Sequence, residues 1–187
     1  GSFGPQPYYL GDERVFVRRA GVTTLLPETP LSKPIRARAI NNRDQVVGTL
    51  GVGGLQPDET YATLHAYLYK NGEVIDIHPA GAQEGTRSEA EDVNDRGQIV
   101  GELGVGAGES RAFIWRDGNM RLLGLPLGSS THEQARAVAI NESGVVVGYR
   151  TLAWDTDKPR WSAFVYTGGR LWDLNSVTLW RRRFRIE

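Results

Sequence analysis

The chain has 187 residues, enough for one domain with a sizeable core. Its 22 Lys and Arg balance 22 Asp and Glu, so net charge points to no nucleic-acid partner, and the absence of Cys excludes disulfides, thiolate metal sites and a Cys nucleophile. Gly is frequent at 23 and Met occurs once, a strand-and-turn composition with no apolar run long enough to cross a bilayer.

In chain order, the first signal is "RVFVRRAGVTTLL" at 14–26: an apolar strand, a tight turn and a second strand. A polar link with Pro27 and Pro30 follows. Next comes "RARAI" and then "NNRDQVVG" at 41–48, a strand, a turn and a fourth strand. The pattern then restarts. "HAYLYKNGEVIDI" (65–77), "RAFIWRDGNMRLL" (111–123) and "SAFVYTGGRLWDL" (162–174) repeat the first phrase, while "NDRGQIVG" (94–101) and "NESGVVVG" (141–148) repeat the second. The unit is roughly 50 residues long, with three whole copies and half of a fourth. The units span about 11–54, 62–108, 109–151 and 160–187 of a single repeat domain. "PYYL" at 7–10 is available as an N-terminal strand to complete the last.

Strands such as "AFIW" are apolar on both faces, which predicts a cover on both sides. Asn, two polar residues and Gly fit a type I turn closed by a left-handed residue. The first copy carries Asp44 at that last position. Two hairpins per unit predict a four-stranded sheet per unit. About four such units predict an all-β, propeller-like fold, either a small closed ring or a fragment of a larger one. A β-trefoil is the alternative.

"AFIWRDGNMRLLGLPLGSSTHEQARAVAINESGVVVGY" (112–149) resembles the HAF family of bacterial extracellular repeats. That family's pattern combines His-Ala-Phe-x-Trp, Gly-x-Met-x-Asp-Leu-Gly and Ala-x-x-Ile-Asn-x-x-Gly-x-Val-Val-Gly. His65 and Ala66 keep its opening pair, whereas Arg111 and Ser162 replace its His and Arg121 its Asp. The resemblance covers most of residues 14–174. It implies a propeller-like β fold and a secreted or cell-surface setting, and it implies no particular reaction. No signal peptide stands at the start of the sequence, where Gly1-Ser2 reads as a protease scar.

Function is expected where the copies differ. The link 151–161, "TLAWDTDKPRW", offers Trp154, Asp155, Asp157 and Trp161, aromatics beside polar groups that suit sugar stacking or peptide capture. His78 and His132 lie in two other links, which a propeller brings to one face. "GVGG" and "GVGAG" complete no phosphate-binding motif. Arg181, Arg183 and Arg185 alternate with apolar residues near the C-terminus, as on a half-exposed edge strand. No catalytic triad, metal-ligand spacing or cofactor motif emerges. The reading is therefore a non-catalytic secreted or surface module that binds a protein or glycan through its variable links. Its alternatives are a hydrolase or lyase acting on a polysaccharide at one propeller face, and a self-assembly module associating through open sheet edges.

Overall fold

The computed structural model describes residues 14–28, 32–55, 61–106, 108–124, 134–151 and 161–174. β1 (Phe16–Arg19) and β2 (Val22–Leu25) form a hairpin. β3 (Ser32–Ile40), β4 (Val46–Leu55), β5 (Tyr61–Lys70) and β6 (Glu73–Asp76) form the first four-stranded sheet. β7 (Ser88–Val93), β8 (Ile99–Gly106), β9 (Glu109–Arg116) and β10 (Asn119–Leu122) form the second. β11 (Ala135–Ile140), β12 (Val146–Thr151), β13 (Trp161–Thr167) and β14 (Arg170–Asp173) form the last. Among the described residues every pairing within these sheets is antiparallel and joins strands consecutive in sequence, and a lone parallel bridge links Ser110 to Gln134. Among the described residues there is no α-helix and no sheet closes on itself. The expected strand at 7–10 and the expected edge strand with Arg181, Arg183 and Arg185 lie outside the described residues.

The sheets do not coincide with the repeat units read from the sequence. Each takes its first two strands from one unit and its last two from the next. One feature of the "VVG" strand explains this. Gly48 lies opposite Tyr67, Gly101 opposite Phe113 and Gly148 opposite Phe164. The aromatic that opens a unit therefore needs the glycine that closes the previous one. The same glycines admit the strand on their other side. A Cβ there would stand 2.0 Å from the carbonyl oxygen of Arg36, 1.9 Å from that of Glu89 and 2.1 Å from that of Arg136. Each of those strands is bulged just beyond the close approach, between Ala37 and Ala39, Ala90 and Asp92, and Ala137 and Ala139.

The sheets stack through one interface used three times. Val15, Val17 and Leu26 of the hairpin segment pack with Val46, Leu50 and Tyr67 of the first sheet. At the equivalent positions Ala66, Leu68 and Ile77 pack with Ile99, Phe113 and Trp115 of the second. Ala112, Ile114 and Leu123 pack with Val146, Phe164 and Tyr166 of the last. Adjacent residues of one strand thus serve opposite neighbours, so the two middle sheets are apolar on both faces, as the sequence leads one to expect.

The tight turns are laced together by their asparagines. Asn41 Nδ2 donates to the Asn94 carbonyl at 2.8 Å, and Asn94 Nδ2 donates to the Asn141 carbonyl at 3.0 Å. Within each turn the Asn Oδ1 accepts from the backbone, from Gln45, Gln98 and Val145 N–H at 3.0, 3.0 and 2.9 Å. The Asn thus closes its own turn and joins it to the next. The three equivalents of Tyr67 are Phe16, Phe113 and Phe164. Tyr67 is fully buried and its hydroxyl has no hydrogen-bond partner. Replacing it removes an unpaired buried polar group at almost constant volume. Tyr67→Phe is expected to raise unfolding stability by about 1 kcal/mol, as read from chemical denaturation; a loss of stability would show that the hydroxyl is satisfied.

Candidate binding face at the link end

All Asn turns lie at one end of the sheets, and the register sends the links to the other. Thr151 faces Trp161 and Gly106 faces Glu109 at the mouths of the β12–β13 and β8–β9 connections. β6 and β10 run toward this same end before the chain crosses to the next sheet. Three groups of side chains gather there.

The first is built around two histidines. His65 and His78 stack with ring centroids 4.0 Å apart and 7° between planes. His65 Nδ1 lies 2.7 Å from Asp76 Oδ2, and His78 Nδ1 lies 2.8 Å from Ser88 Oγ. Ser88 Oγ already accepts the Ala66 N–H at 2.9 Å, which leaves its own proton for His78. Asp76 Oδ1 also accepts the His78 N–H at 2.9 Å. Burial lowers the His78 pKa, nearby His65 lowers it further, and Asp76 opposes both. Ser88 is only 1% exposed, so no substrate reaches it as a nucleophile. The set is a latch between β5, β6 and β7. In the last sheet Ser162 and Asp173 take the places of His65 and Asp76, with Ser162 Oγ donating to Asp173 Oδ1 at 2.5 Å.

The second group is a charge network between sheets. The bulges of β3 and β7 leave Arg38 and Glu91 as the extra residues. Arg136 donates to Glu89 at 2.5 Å and to Glu91, and its guanidinium is 3.6 Å from Glu102. Arg38 lies 3.8 Å from Glu89 and 3.7 Å from Glu91. Burial opposes the charge on Arg136, but the three carboxylates outweigh it and raise its pKa. Burial raises the Glu102 pKa against the pull of Arg136 and Arg87. Beside this network a cavity of about 320 Å³ is lined by Arg87, Glu102, Glu109, Ser110, Gln134 and several glycines. A larger hollow of about 510 Å³ lies between the β1–β2 hairpin and the first Asn turn, where two strands cover the first sheet incompletely.

The third group is aromatic. Tyr149 and Trp161 meet edge to face, with ring centroids 5.2 Å apart and 68° between planes. Trp161 is 54% exposed although it starts a paired strand. Trp172 is exposed further along the same face, opposite Val165.

Of the residues singled out from the sequence, Trp161 joins the aromatic group and His78 joins the latch. Trp154, Asp155, Asp157 and His132 lie outside the described residues. Sequence reasoning passed over Tyr149, Trp172 and the Glu102 cavity. The aromatic at 149 stands where the other copies have Thr49 and Glu102, and that contrast was the available signal. Among the described residues no group of three or more His, Asp or Glu side chains forms a metal site, and no helix is long and apolar enough to cross a membrane. No family model, curated protein or solved structure matches the chain. The fold and its contacts define an all-β protein of stacked repeat sheets.

A His whose folded pKa is lowered takes up protons more readily when unfolded. Its contribution to stability is complete above the ordinary imidazole value of about 6.5 and is lost as pH falls through the lower folded value. Unfolding stability is therefore expected to drop below about pH 6.5, and the drop should shrink in His78→Gln. An NMR titration placing His78 at or above the ordinary value would contradict this.

Proposed function

We propose that the chain is a non-catalytic repeat module of a secreted or cell-surface β-propeller of the HAF type, binding a protein or glycan through its link end. Stacked four-stranded antiparallel meanders support the propeller reading, and the sequence resemblance supports the setting. The observation that carries the binding role is the exposed Tyr149–Trp161 pair at the mouth of the 152–160 connection. Tyr149 fixes the tilt of the Trp161 ring, so little side-chain freedom is lost when a partner covers it. Trp and Tyr in such positions dominate binding energy, whether the partner offers a sugar face or a protein side chain. Trp161→Ala is expected to weaken binding at least about tenfold on glycan or protein arrays, with an unchanged melting temperature. Equal array signals from wild type and variant would refute the role of the pair.

One observation favours a second reading, a polysaccharide hydrolase or lyase. Glu102 and Glu109 line one cavity, and burial raises the Glu102 pKa, as suits a general acid. Under that reading Glu102→Gln abolishes release of reducing ends from a polysaccharide panel. No turnover by the wild-type protein eliminates it.

A further inference from the structure

Among the described residues the interface between successive sheets recurs three times, and one half of it is unmatched at each end of the array. On the last sheet the leftover half is the face carrying Val147, Ala163 and Val165, with Leu174 just beyond β14. Val147 is 43% exposed, whereas its equivalents Val47 and Val100 are 0% exposed. Ala163 is exposed, whereas Ala66 and Ala112 are fully buried by the sheet that follows them. Leu174 is 47% exposed, whereas Ile77 and Leu123 are buried. At the other end the leftover half is the outer face of the β1–β2 hairpin, where Phe16 lies opposite Leu25. Phe16 is 56% exposed, and its equivalents Tyr67, Phe113 and Phe164 are all 0%. Inside the chain those three aromatics pack toward the preceding sheet, with Ala66 and Leu68 serving Phe113, and Ala112 and Ile114 serving Phe164.

We infer that these two faces are complementary halves of one interface, and that a second copy of the chain docks head to tail, its β1–β2 hairpin on the open face of the last sheet. The occupant follows from continuity. The interface that the chain builds three times within itself pairs a hairpin aromatic with a Val, Ala and aliphatic face, and the two ends supply one half each. The hairpin segment already shows that two strands can form one side of such a contact, since Val15, Val17 and Leu26 cover part of the first sheet. Head-to-tail contacts of this kind are heterologous, so unless the rotation closes a ring they continue into longer assemblies. The inference goes beyond ligand binding at the link end. It uses Val147, Val165 and Leu174 on the sheet face whose link edge carries Tyr149 and Trp161.

Two variants that each disable one face test it. Phe16→Glu blocks the hairpin face and Val165→Glu the face of the last sheet. In sedimentation velocity from about 1 to about 100 µM, wild type is expected to shift from monomer to dimers and larger species. Each variant alone is expected to stay monomeric, with apparent dissociation constants raised at least about tenfold. An equimolar mixture is expected to form a 1:1 dimer and nothing larger, because each copy keeps one working face. Leu25→Glu and Val147→Glu replace either variant that fails to fold by circular dichroism. A wild-type protein that is monomeric throughout the range overturns the inference, as does a Phe16→Glu protein that associates like wild type, since that would mean two last-sheet faces pair with each other. Array binding by Trp161 is measured in the Phe16→Glu background, which leaves the last-sheet face uncovered, so that the two readings fail separately.

Discussion

The close approach of backbone to backbone at Gly48, Gly101 and Gly148 sets most of what surrounds it. No side chain of any kind fits there, because its first carbon would overlap a carbonyl oxygen of the neighbouring strand. The space left empty is used twice. On one side it lets the first strand of the sheet bulge inward, and the bulge brings Arg38 and Glu91 into the ion-pair network between sheets. On the other side it seats Tyr67, Phe113 or Phe164, the largest fully buried side chains of their sheets. The aromatic then supplies much of the contact with the preceding sheet. Local backbone crowding, charge placement and sheet stacking therefore depend on the same missing Cβ.

The Asn turns follow a rule that also explains their irregularities. Gln45 reaches from the first turn toward Gly97 of the second, and Gln98 reaches from the second toward Gly144 of the third. Both glutamines accept from their own Asn Nδ2, at 2.7 and 2.8 Å. Among the described residues no Asn turn precedes the first, so no glutamine from such a turn reaches its last position, and Asp44 occupies it with a φ of 57°. Asp44 instead pairs with Arg19 of the hairpin. The third copy has Val145 in place of the glutamine, and among the described residues no fourth Asn turn lies beyond it. Both departures sit at the ends of the ladder, where the constraint on that position is absent.

The hairpins, their turn chemistry and the two-sided burial of the middle strands were legible in the sequence, because each depends on residues within a few positions of one another. The phase of the sheets was not. A periodic sequence has no privileged starting point, and a unit cut at the aromatic looks as complete as one cut at the Asn strand. Only the pairing of an aromatic with a glycine 12 to 19 residues earlier decides it, and that is a contact across two strands. The charge network was hidden for a related reason. Glu89 and Arg136 occupy the same place in two copies with opposite sign, so each reads as drift on a solvated face until the sheets are stacked. His65 and Asp76 stand 11 residues apart across a hairpin and were within reach of register reasoning.

The division of labour between the two ends of the sheets has a physical basis. At the turn end the side chains of Asn41 and Asn94 are committed both to their own turn and to the next one, so substitutions there carry a structural cost and the Asn repeats. At the link end the same strand position accepts Thr49, Glu102 or Tyr149, because only the backbone there is fixed by the fold. In the first sheet that position is a buried hydroxyl, in the second a carboxyl whose pKa is raised by burial, and in the last the partner of an exposed tryptophan. One backbone site thus yields three environments. What decides among them is the cover: two sheets are overlaid by a neighbour and the last presents its face to solvent. A repeat fold of this kind confines its chemical variety to the end that its own ladder leaves uncommitted.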